Sequence, residues 1–111
     1  MSIVADDTVS KALAYLADDP HPVAVARKAV TDAENARKAK FAELYRGTNG
    51  GTVRDREASV ECHDLYKKLQ DAESEAIFEH ERHRARVRAA EMIIEVWRST
   101  NANARAAERV R

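Results

Sequence analysis

The sequence predicts an all-α fold: an extended antiparallel helical hairpin with a long C-terminal helix and a short N-terminal helix, coiled-coil-like and oligomeric. Three observations predict it. Ala, Glu, Arg, Lys and Leu dominate the chain, and all are good helix formers. Three Gly and two Pro in 111 residues leave little material for the turns of a β fold. From Val53 to Thr100 neither Gly nor Pro interrupts a stripe of apolar and small residues that steps by threes and fours. Charged residues make up 34% and aromatics 5%, an alphabet that favours elongated helices over a thick core.

The chain reads as one helical domain over 1–111. A short helix is expected over 8–17, with Val9, Leu13 and Leu16 on one face. "DDPHP" (Asp18 to Pro22) breaks it. Pro20 and Pro22 lack backbone donors and suit the first turn of a helix capped by Asp19. That hairpin helix is expected over 23–46. "RGTNGGT" (Arg46 to Thr52) is the second break, with Gly47 suited to a left-handed helix end. Thr52 begins "TVRD", which has the form of a capping box with Asp in place of Glu. A single long helix is then expected over 52–100, followed by a tail over 101–111.

The long helix carries the seam Cys62, Leu65, Leu69, Ala72, Ala76, Glu79, His83, Val87, Ala90, Ile94, Trp97 and Asn101. Facing it, the hairpin helix offers Val23, Ala26, Val30, Ala33, Ala36 or Arg37, Phe41 and Leu44. A helix of that length spans about 70 Å at 1.5 Å per residue, and its hairpin partner about 35 Å. Paired from the loop outward, the partner ends near residues 75–80, and the stripe from Ala76 to Trp97 lacks full cover. An apolar stripe left in water finds a partner. Val87, Ala90, Ile94 and Trp97 are therefore expected to form an oligomer or partner interface.

Net charge is zero but unevenly placed. Gly47 to Glu81 holds four Lys/Arg against nine Asp/Glu, or −5, and Arg82 to Arg111 holds eight Arg against three Glu, or +5. An arginine-rich end suits phosphate or an acidic partner. Its main element is "RHRARVR", which supplies Arg82, Arg84, Arg86 and Arg88; Arg98, Arg105, Arg109 and Arg111 follow. Arginine grips phosphate through its bidentate fork. The competing assignment is a solvated surface, or ion pairs with acidic residues near Glu73 to Glu81.

No enzyme is expected. "HERH" (His80 to His83) lacks the spacing of zinc or di-iron helix motifs, so His83 reads as a polar seam residue able to set register or pH sensitivity. In "ECHD" the neighbours Cys62 and His63 point about 100° apart on a helix and form no relay. "GTNGGT" lacks the Lys and the preceding strand of a nucleotide loop. No cofactor and no metal is expected. Cys62 is alone, so no intrachain disulfide is possible. "MSIVADDTVS" has no signal-peptide character, and no apolar run suits a membrane span. The expected place is the cytoplasm, of the host if the chain is phage-encoded.

The organisation from Val23 to Arg105 carries a resemblance. A helix ends in the basic-aromatic run "RKAKFAELYRG". A polar loop follows, and a long charged helix closes with "WRSTNANAR", a Trp-Arg-Ser-x-x-x-x-x-Arg ending. This resembles small helical-hairpin proteins of bacteriophage recombination and replication modules. It is more distantly similar to UvsY-type recombination mediators. The "DDPHP" break and the acidic middle depart from the mediators. The resemblance implies a non-enzymatic accessory that forms rings of hairpins, binds single-stranded DNA and helps load a recombinase against a single-strand-binding protein. It places nucleic-acid contact at Arg37, Lys38, Lys40 and Tyr45, and again at Trp97, Arg98 and Arg105. The alternative is a coiled-coil protein–protein adaptor, or a small inhibitor, without nucleic-acid binding.

Overall fold

The computed structural model describes residues 4–110. They form four helices: α1 (Asp6–Leu16), α2 (Pro22–Gly47), α3 (Val53–Glu61) and α4 (Asp64–Val110). The fold is an all-α helical hairpin with a long C-terminal helix, and the described residues contain no strand. Arg111, one of the arginines singled out above, lies outside the described residues.

α1 begins earlier than expected, with Asp6 and Asp7 in its first turn. Carboxylates there oppose the positive end of the helix dipole, which substitutes for the missing side-chain cap at Ala5. α2 is capped differently from the expectation. Pro22 is its first residue, and the Val23 N–H donates to His21 Nδ1 at 3.1 Å. The cap is therefore the His21 imidazole, not Asp19, because the helix starts at the second proline rather than the first.

Gly47 is the last residue of α2 and keeps helical geometry; among the described residues only Gly50 and Gly51 have positive φ. The end of α2 is closed by side chains instead. The Tyr45 carbonyl accepts from Thr48 Oγ1 at 2.7 Å and from Arg56 Nη2 at 3.2 Å. At Gly51 (φ +85) an added Cβ would also meet the Asp55 Cβ at 3.2 Å. The capping box at the start of α3 is present as the sequence indicates. The Asp55 N–H donates to Thr52 Oγ1, and the Thr52 N–H donates to Asp55 Oδ2.

The single helix expected over 52–100 is two helices. Cys62 closes α3, and His63 stands immediately before the first residue of α4. The Leu65 N–H donates to His63 Nδ1 at 3.2 Å, while the Lys67 N–H donates to the His63 carbonyl. An imidazole thus caps the second helix as one caps α2. No glycine or proline is needed for the break, because a side-chain acceptor competes with the backbone at this point. The expected tail is also helix: α4 runs to Val110.

Two compact units make up the described chain, one drawn from Met1–Val23 with Arg82–Arg111 and the other from Ala24–Glu81. Within the second, Val60 and Tyr66 are buried, and Phe41 meets the Tyr66 ring edge-on at 5.7 Å. Arg37 Nε donates to Glu73 Oε2 at 2.7 Å, and its Nη1 to the Tyr66 hydroxyl. The expected seam of α4 is corrected here. Leu69 and Ala76 turn inward as expected and are joined by Tyr66 and Glu73, whereas Cys62, Leu65 and Ala72 are exposed. Cys62 lies before the break at the end of α3, whereas Leu65 and Ala72 lie within α4 on the edge of the stripe away from Tyr66 and Glu73, towards which the buried face is turned.

In the unit formed by Met1–Val23 and Arg82–Arg111, α1 packs on α4. Ala12, Tyr15 and Ala90 form the buried centre, with Leu16, Val87, Ile93 and Ile94 packed around them. The inward face of α1 is Val9, Ala12, Tyr15 and the half-buried Leu16; Val9 and Leu16 face inward as expected, and Leu13 is 51% exposed.

Candidate functional site

The residues proposed for nucleic-acid contact fall into two groups with different fates. The basic-aromatic end of α2 is engaged by its own chain. Arg37 is half-buried in the Glu73 and Tyr66 contacts. The Glu73 hydrogen bond, then the Tyr66 one, holds its guanidinium above its ordinary pKa. Lys38 pairs with Glu34 at 2.8 Å, and that lysine holds the Glu34 carboxyl below the usual carboxylate range. Lys40 pairs with Glu43 at 3.0 Å. The Tyr45 ring stacks on Phe41, and the Arg56 guanidinium lies 4.3 Å from its centroid. A tyrosine flanked in this way offers no open stacking platform. Of this group Arg37 and Tyr45 serve the packing of α2 against α3 and α4.

The arginines of α4 are more varied. The Arg86 guanidinium lies over the Tyr15 ring at 4.1 Å, a cation–π contact that ties it to α1. Arg82 and Arg84 are each engaged as well. Arg88 borders a shallow surface pocket with Val23, Arg84 and Val87. Arg98 is exposed, and Arg105 is exposed with Nε donating to the Asn101 carbonyl at 3.4 Å. Among the described residues, Arg88, Arg98 and Arg105 take part in no ion pair.

The side of α4 expected to lack cover has one. Ala90 is 5% exposed, and Val87 and Ile94 are half-buried under α1. Trp97 is half-buried, and its Nε1 makes a long hydrogen bond of 3.4 Å to Asp6 Oδ1. The short helix α1 supplies this cover by laying Ala12, Tyr15 and Leu16 against Val87, Ala90, Ile93 and Ile94. Tyr15 is the residue that sequence reasoning missed. Its hydroxyl lies 3.0 Å from His83 Nδ1 and 3.2 Å from the His83 carbonyl. Its ring stacks on His83 at 6.2 Å and meets His21 edge-on at 5.1 Å. The signal was available: Val9, Ala12 and Tyr15 recur every third residue, a face as valid as the Val9, Leu13 and Leu16 one.

Cys62 is exposed, at the end of α3 rather than in the seam. Among the described residues no helix is long and apolar enough to cross a membrane.

Comparison with protein-family models, curated proteins and solved structures finds no match to this chain.

Proposed function

We propose that this chain is a non-enzymatic accessory protein of bacteriophage-type DNA recombination or replication, which holds single-stranded DNA by its phosphates and presents it to a recombinase or a single-strand-binding protein. The observation that supports it is the arginine set of the C-terminal half of α4. Arg88, Arg98 and Arg105 are exposed, lie on one helix and have no carboxylate partner among the described residues. The contact surface is accordingly narrower than the sequence suggests. The end of α2 is left out, because Arg37, Lys38 and Lys40 already hold acidic side chains. Binding of this kind is tolerant of base sequence and falls with salt. The mediator-like role draws further on the resemblance of the Trp97 to Arg105 ending. The reading invokes no catalytic step and no cofactor.

The test is titration of a long single-stranded oligonucleotide at two salt concentrations. Replacing Arg88, Arg98 and Arg105 by Gln one at a time should each reduce the slope of log affinity against log salt by about 0.7. Arg37→Met should leave that slope unchanged while lowering stability. Absence of binding at micromolar protein and low salt would rule the reading out. The second reading, a protein–protein adaptor, is favoured by the apolar side chains that α4 leaves in solvent, among them Phe78, Met92 and Val96.

A further inference from the structure

α4 has a second apolar face in its C-terminal half that α1 leaves exposed, bordering it only beside Ala89. Ala85, Ala89, Met92 and Val96 follow a 4-3-4 spacing, which confines them to a sector about 60° wide. The side covered by α1, centred on Ala90 and Ile94, lies about 150° away around the helix. All four residues are exposed, and Met92 is 68% exposed. A helix with one apolar face already buried has no intramolecular reason to carry another.

The flanks of this face say what fits it. Arg88 and Glu95 lie seven residues apart along the same edge, too far to pair along their own helix. Among the described residues neither takes part in an ion pair. In a parallel self-pairing, edge residues meet the opposite edge, where Ile93 and Thr100 stand, and neither charge is answered. In an antiparallel self-pairing like edges meet. With the two-fold axis between residues 90 and 91, Arg88 of each copy reaches Glu95 of the other. The same axis sets Ala85 opposite Val96 and Ala89 opposite Met92, so every layer joins a small side chain to a larger one. One placement of the axis satisfies both charge and volume.

We propose that two copies of this chain associate through this face of α4, antiparallel, with reciprocal Arg88–Glu95 pairs around the Ala89–Met92 layers. The surface lies across the helix from the Val87, Ala90, Ile94 and Trp97 set, which α1 occupies. It is independent of the phosphate reading except at Arg88, where the two would compete. Four core side chains per copy are far fewer than the roughly 20–30 residues a side of a stable interface, so the dimer is weak and concentration-dependent.

Sedimentation equilibrium over a range from micromolar to millimolar protein tests this. The wild-type mass should rise towards twice the monomer. Met92→Glu should hold the chain as monomer, with circular dichroism showing unchanged helix content. Arg88→Glu and Glu95→Arg should each weaken association, and the double exchange should restore it. Register is read by crosslinking in a Cys62→Ser background. Mixing Ala89→Cys with Met92→Cys should give the mixed disulfide in excess over either homodimer. A wild-type mass that stays monomeric throughout overturns the proposal, as does a full-strength dimer in Met92→Glu. Predominant homodisulfides overturn the antiparallel register. Because these readouts contain no DNA, they fail separately from the phosphate titration.

Discussion

Tyr15 is the side chain on which the cover of α4 depends, and removing it should undo that cover. Only 8% of it is exposed. Truncating a buried aromatic to Ala costs about 3–5 kcal/mol. The contacts explain where that cost arises. The ring stacks on His83, meets His21 edge-on and carries the Arg86 guanidinium. Each aromatic pair contributes about 0.5–1.5 kcal/mol and the cation–π contact about 0.5–1 kcal/mol, within that total rather than in addition to it. Tyr15→Phe isolates the hydroxyl. It removes the hydrogen-bonding group set against His83 Nδ1 and the His83 carbonyl, and should cost about 0.5–1.5 kcal/mol. An eleven-residue helix is marginal by itself in water, so α1 freed by Tyr15→Ala should unfold as well as undock. Far-UV circular dichroism should then lose the helicity of α1. Trp97 fluorescence should shift to the red as the indole loses its neighbour at Asp6. Denaturation followed by both signals gives the energies. If Tyr15→Ala melts like the wild type with unshifted Trp97 emission, α1 does not hold this face in solution and the reasoning fails.

Two further outcomes follow from the helix ends. His63→Ala should destabilise the chain by about 0.5–2 kcal/mol, because the Leu65 N–H loses its acceptor, and His63→Asp should recover most of that loss as a stronger cap in the same place; equal melting of all three proteins would show that the imidazole is not the cap. Glu34 titrates below the usual carboxylate range because Lys38 bonds it, so its contribution is present above the unfolded carboxylate pKa of about 4.3 and is lost as the pH falls through the folded value. Glu34→Gln should therefore leave neutral stability almost unchanged and flatten the acid limb of a stability–pH curve, an effect screened by its exposure and abolished in high salt.

Helicity and the hairpin loop were legible in the chain because they depend on local chemistry. Good helix formers with few glycines or prolines leave helix as the available structure, and the Thr52–Asp55 box can be read from four residues. Most of the α4 stripe beyond the break was legible for the same reason: His83, Val87, Ala90, Ile94 and Trp97 keep one helical phase whatever packs on them. Three features needed the tertiary structure. The interruption at His63 carries no glycine or proline, since a histidine caps only when its ring turns back on the following N–H, and that rotamer is not written in the spacing. How far the inward face of α1 turns away from Leu13 was not readable from spacing, and was decided when Tyr15 found His83 and Arg86, residues about seventy positions away. The fate of the cations was decided in the same way. A lysine or arginine looks alike in sequence whether or not it meets a carboxylate, and only the folded chain brings Glu73 to Arg37 while giving Arg98 no ion pair among the described residues.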